Sequence, residues 1–149
     1  KGSATGTRFV LGSEVCTIFE DRQGKTRKIH NCILAPSVEV VGQINEQLSK
    51  FGSLDSDGRP ILNNISPAEL VERLISVDPG IFVFPAHLWT PWFGAFGAFS
   101  GFNSIKEAYG DQAKNIHAYE TGLSSDPLMN WTISKLDKYA MLSGSDAHS

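Results

Sequence analysis

Cysteine is scarce in this chain of 149 residues, and the two present, Cys16 and Cys32, are too few for a disulfide framework or a four-cysteine zinc module. Each lies in a strand-like apolar run, where a small core residue is expected. No run approaches the roughly 18 apolar residues of a membrane span, and the N-terminus lacks the basic-then-apolar pattern of a signal peptide. The cytoplasm is therefore the expected compartment. Positive charge is in short supply as well: 13 basic against 16 acidic residues leave a net charge of −3, so the chain exerts no general pull on a polyanion. Binding to nucleic acid would have to be local, or supplied by bound metal and other segments. Internal repeats and low-complexity segments are absent too.

What is there is an ordinary globular composition. At 41% hydrophobic residues and the length of one domain, the chain can bury a sizeable core. The branched and aromatic run Arg8–Phe19 predicts a strand, turned by Asp21-Arg22-Gln23-Gly24 and returned over Lys28–Leu34 as a hairpin. Ser37 is placed to cap a helix whose apolar face reads Val38, Val41, Ile44, Leu48 and Phe51, with Gly52 as its stop. After a polar loop, Ser66-Pro67-Ala68-Glu69 is a capping box that opens a helix to about Ser76. Ile81–Phe84 is continuously apolar, as in a strand buried on both sides.

Leu88–Phe102 reads as a long loop of tryptophan, phenylalanine and glycine, and a loop of that length in a compact domain tends to be functional. Ser104 and Glu107 form another capping box, Ile116–Tyr119 another strand, and Asp126-Pro127 starts a helix through Lys135. Tyr139–Leu142 closes the series as a short buried strand. A hairpin followed by helices alternating with short strands predicts the α/β class, an open sheet or a barrel with parallel strands. Lys1–Thr7 reads as a flexible lead-in, and the chain stops just after an Asp-Ala-His turn, so an excerpt of a longer protein is expected.

In such folds ligands gather at the carboxyl ends of strands. The expected strand ends deliver His87, Glu120, and the pair Asp146 and His148. The hairpin adds Glu14 and His30, each embedded in an apolar strand where an ionisable group is costly to bury without a partner. Each has an ordinary structural explanation on its own, as a core histidine, an ion pair or a polar turn; their joint occurrence points to a metal site. Imidazole and carboxylate donors without a thiolate suit zinc, manganese or iron, and sites of this kind activate water and clamp phosphoester oxygens. His117, expected in mid-strand away from the cluster, is assigned a structural or surface role.

The strings "FVLGSEVCTIF", "RKIHNCILAPS", "DGRPIL", "PAHLWTPWF", "ETGLSSDP" and "SDAHS", in this order, resemble the PHP (polymerase and histidinol phosphatase) superfamily, and most closely its endonuclease Q branch. The resemblance runs from about Arg8 to Ser149. It implies a distorted (β/α)7 TIM-like barrel, of which residues 1–149 would be the central and C-terminal part, truncated at both ends. It also implies up to three divalent ions at the strand ends. By motif, Glu14 looks like a carboxylate bridging two metals, His30 and His87 complete the second metal, Asp146 binds the first and His148 the third. Glu14 and Asp146 would be the catalytic carboxylates, and Glu120 would orient a ligand. The superfamily's opening His-x-His motif and a further histidine ligand, and the zinc and DNA-gripping segments that follow the barrel in endonuclease Q proteins, are not in this sequence, so the excerpt alone is expected to be inactive.

The activity implied is that of a metal-dependent endonuclease of DNA repair, cutting 5′ to deaminated bases or abasic sites, with such DNA as the partner. A phosphomonoesterase acting on a small phosphorylated metabolite shares the site, and a non-catalytic metal-binding or interaction domain is the third reading. Trp89, Trp92 and Phe93 are candidates for stacking on a base or sugar, or else core aromatics roofing a barrel mouth. Arg59 is a candidate for a phosphate, and Ser124 and Ser125 for a lesion pocket.

Overall fold

The structure is a computed structural model that describes residues 6, 9–55 and 59–147. Strands β1 (Leu11–Glu20) and β2 (Thr26–Ala35) form the expected hairpin, paired over their full length from Leu11 opposite Ala35 to Glu20 opposite Thr26. Most of the expected lead-in, Arg8, residues 56–58 of the polar loop and His148 lie outside the described residues. Helix α1 (Val38–Leu48) starts where Ser37 accepts a hydrogen bond from the Val40 amide. Its buried stripe is Val40, Ile44 and Leu48, while Val38, expected on that face, is exposed. Valines at 38, 40 and 41 leave the periodicity open to either rotation; packing against the sheet selects the ridge of spacing four.

A three-residue strand, β3 (Ile61–Asn63), lies parallel to β1 between the polar loop and the second capping box, where no element was expected. It is too short to show a period. Helix α2 (Pro67–Val77) follows its capping box, with Ser66 accepting from Glu69 N. Strand β4 (Phe82–Pro85) completes a four-stranded sheet of order β3-β1-β2-β4. The sheet is mixed rather than all parallel, since β2 runs antiparallel to both β1 and β4. Helix α3 (Ile105–Tyr109) is capped by Ser104 and runs into a 3₁₀ stretch, Gly110–Asn115.

Strand β5 (Ala118–Thr121) begins two residues later than expected and pairs in parallel with β6 (Ala140–Ser143). His117 therefore precedes β5; it is exposed, with its ring against Phe82. Helix α4 ends at Trp131 (Pro127–Trp131) rather than Lys135, and a 3₁₀ turn over Ser134–Leu136 follows. β6 was expected to be buried but is largely exposed, because among the described residues it has a strand on one side only. No described helix is long and apolar enough to cross a membrane.

The two faces of the four-stranded sheet do different things. Val15, Ile29, Ile33 and Val83 point into the main core with Leu70, Leu74 and Tyr109 from the helices. A buried polar network pins that face: the Tyr109 hydroxyl donates to Asn31 Oδ1 at 2.6 Å, and Asn31 Nδ2 donates to the Ile29 carbonyl at 3.1 Å. The register puts Glu14, Cys16, His30 and Cys32 on the opposite face, since Glu14 lies across from Cys32 and Cys16 across from His30.

Candidate metal centre

Glu14 and His30 occupy diagonal positions of the hairpin, and the chain brings His87 to them just beyond the end of β4. His30 Nδ1 is 2.8 Å from Glu14 Oε1 and 3.0 Å from His87 Nε2, and Glu14 Oε1 is 3.6 Å from His87 Nε2. Donors about 2.0–2.2 Å from one zinc-sized ion, at ligand angles of about 90–110°, lie about 2.8–3.6 Å apart. The three separations match that range. Among the described residues, the buried side-chain polar atoms without a hydrogen-bond partner are Glu14 Oε1, one of the three converging atoms, and His30 Nε2, the other nitrogen of a ring whose Nδ1 is in the cluster. One proton shared between two imidazoles leaves the carboxylate oxygen unserved, whereas a cation in the middle satisfies all three donors. The residues present therefore fit a divalent ion.

The electrostatics of the cluster favour a charged Glu14. Burial opposes ionisation of Glu14, yet the facing His30 and His87 rings more than offset it and hold its carboxyl well below the usual range. Burial drives His30 towards the neutral form, against the pull of Glu14. For His87 burial acts in the same sense, but Glu14 outweighs it and raises the ring above its ordinary value. On the same face, burial pushes the Cys16 thiol up to about 11. Cys32, which is half-buried rather than core, is pushed up to about 12 by burial and by the Glu120, Glu14 and Asp146 carboxylates. Both stay thiols at neutral pH, leaving nitrogen and carboxylate oxygen as the available donors.

Supporting contacts fix the donors. His87 has φ +26, and Phe93 and Asp146 also adopt positive φ; for bulky side chains such backbone costs about 1–3 kcal/mol and persists only where the surroundings impose it. For His87 the constraint is Glu120, whose Oε2 accepts the His87 backbone N–H at 2.7 Å. Glu120 thus acts on His87 through the main chain. Gly144 lies so close that a Cβ there would sit 2.4 Å from Glu120 Oε1. The Phe93 carbonyl accepts the His30 backbone N–H at 2.9 Å, and its ring stacks on His30 at 4.3 Å. The Arg59 guanidinium lies over the other partner of that stack, 5.7 Å from the Phe93 centroid.

The remaining sequence candidates separate into groups. Asp146 stands outside the three-donor cluster, although its charge acts on both His87 and Cys32. His148 lies outside the described residues. Trp89 and Ser125 belong to a different network: the Trp89 indole donates to Asn130 Oδ1 at 2.8 Å, and Asn130 Nδ2 donates to Thr121 Oγ1 at 2.8 Å. Ser125 Oγ closes it, 2.9 Å from Thr121 Oγ1, while Ser124 is exposed in the adjoining turn. Trp92 is exposed and stacks on Phe99. Sequence reasoning missed Thr90, whose hydroxyl is 2.7 Å from His87 Nδ1; the only available signal was a hydroxyl three residues from a candidate ligand.

Fold and site together define a mixed α/β chain carrying a candidate divalent-metal centre of two histidines and one carboxylate. No protein-family model matches the chain, and no curated protein matches it. Among solved structures it is similar to the lesion-specific endonuclease PfuEndoQ from Pyrococcus furiosus, at 32% identity and a TM-score of 0.78 over 99% of this chain. It is equally similar, at 32% identity and a TM-score of 0.77, to endonuclease Q in complex with a 27-mer duplex substrate with an abasic lesion at the active site. The chain spans 33% of the length of each.

Proposed function

We propose that this chain is the metal-site portion of a DNA-repair endonuclease that cuts 5′ to deaminated bases or abasic sites, built on a (β/α)7 barrel of the PHP type. The observation that carries the reading is the Glu14–His30–His87 cluster, found in a chain similar over 99% of its length to endonuclease Q. Glu14 Oε1, His30 Nδ1 and His87 Nε2 would hold one zinc, manganese or iron ion. When bound, such an ion polarises a phosphoryl oxygen and makes water a competent nucleophile at neutral pH.

The chain's own residues do the positioning. Glu120 fixes the main chain of His87, and Phe93 buttresses the His30 ring from behind. Arg59, held over Phe93, adds positive charge where a scissile phosphate would approach. Asp146, and His148 beyond it, would hold the further ions of a multinuclear site; the influence of the Asp146 charge on His87 supports that assignment. The free cysteines suit a reducing compartment, hence the cytoplasm.

The test is incision of end-labelled duplexes carrying uracil, hypoxanthine or an abasic site by the intact protein, after chelation and after metal add-back. Metal-restored cutting 5′ to the lesion, lost in Glu14→Gln, is expected. Cutting that survives chelation or Glu14→Gln would contradict the reading.

A further inference from the structure

We infer that the aromatic loop and the β1–β2 hairpin together form a binding cleft for a single-stranded nucleotide, one wall away from the metal cluster. This deepens the reading of the chain as a DNA enzyme and rests on it. The cleft, of about 200 Å³, is lined by Lys25 and Lys28 from the hairpin and by Trp92, Phe93 and Phe99 from the loop. That is below the roughly 300–1,000 Å³ of sites for drug-sized ligands, and suits one base or one sugar-phosphate unit. Phe93 is the shared wall, since the same ring packs on His30.

Trp92 and Phe99 stack at 3.6 Å between centroids with an interplanar angle of 12°, yet remain 59% and 51% exposed. Stacking on each other leaves their apolar surface in water, so the pair is a platform to which a base can add. The cleft's charge is of one sign. Two lysines line it and no carboxylate does. Asp21, at the hairpin turn, is already engaged by Arg27 Nε at 2.7 Å and by the Gln23 and Lys25 amides. A polyanion bearing flat bases is the ligand that uses both features.

The platform is held in place. The Arg27 guanidinium donates to the Ser100 carbonyl, Ser100 Oγ donates to the Lys28 carbonyl at 2.7 Å, and Phe93 accepts from His30 N. The loop therefore covers the edge of β2 beyond the point where β4 stops pairing. A preformed platform binds without the cost of ordering a loop.

The experiment is fluorescence anisotropy of the intact protein with a fluorescein-labelled 12-mer of thymidylate, in chelator, across a salt series. Trp92→Ala should weaken binding about 5- to 150-fold and Phe99→Ala should act in the same direction, while Trp92→Phe should stay near wild type. Replacing Lys25 and Lys28 by Gln should flatten the slope of log affinity against log salt by about 0.7 per lost phosphate contact. Wild-type affinity in Trp92→Ala, or an unchanged salt slope in the lysine variant, would overturn the inference. Because binding is read without metal, Trp92-dependent binding by a protein that never incises would remove the endonuclease reading and keep the cleft. Normal incision with Trp92-independent binding would do the reverse.

Discussion

Thr90 Oγ1 lies 2.7 Å from His87 Nδ1 and 2.9 Å from the Trp92 carbonyl. Two main-chain carbonyls, of Trp92 at 2.9 Å and of His87 at 3.1 Å, face its one proton, and donation to either leaves the oxygen to accept Nδ1–H. That arrangement favours the tautomer in which His87 Nε2 is bare and faces Glu14 and His30. One hydroxyl thus ties His87 to the aromatic loop.

Thr90→Val keeps the shape and removes the hydrogen bond. Its expected effect is a loss of metal affinity of about 10- to 100-fold, measured by competition with a chromophoric chelator, with Thr90→Ser close to wild type. Undiminished affinity in Thr90→Val would mean that the tautomer is set elsewhere.

The same loop explains a glycine. A Cβ on Gly97 would sit 1.9 Å from the Thr90 carbonyl oxygen, so Gly97→Ala forces backbone apart from backbone. The expected cost is about 1–3 kcal/mol of stability, as for overpacking elsewhere. Urea denaturation would show it, and weakened metal binding should accompany it because Thr90 moves. A variant as stable as wild type would show that the loop has slack.

On the helix-packed face, Tyr109→Phe removes the 2.6 Å hydrogen bond to Asn31 Oδ1 and leaves a buried acceptor unpaired. A loss of about 1–3 kcal/mol is expected by denaturation. Metal affinity should not change, since Asn31 and His30 point to opposite sides of β2. A large drop in metal affinity would show that the two faces are coupled.

The helix starts were legible because capping is local: Ser37, Ser66, Ser104 and Asp126 each accept from an amide three residues on. The rotation of α1 was not, because valines at 38, 40 and 41 permit two faces and the sheet decides between them. Nor was the short strand β3, which exists only through its pairing with β1. At the site, Glu14 and His30 stood out as ionisable groups in apolar strands, and the structure brings His87 to them. Thr90, Phe99 and the two hairpin lysines gave no such signal. Their roles arise from how a fifteen-residue loop folds over the edge of β2, which no local pattern encodes.

If Glu14, His30 and His87 share one ion, the ion must lie between their three facing atoms. Anomalous diffraction from crystals of the intact protein soaked in manganese or zinc tests it most directly. The expected result is a peak about 2.0–2.2 Å from Glu14 Oε1, His30 Nδ1 and His87 Nε2 together, absent in crystals of Glu14→Gln. A cluster that stays without anomalous density while the two imidazoles hydrogen-bond to each other would contradict it.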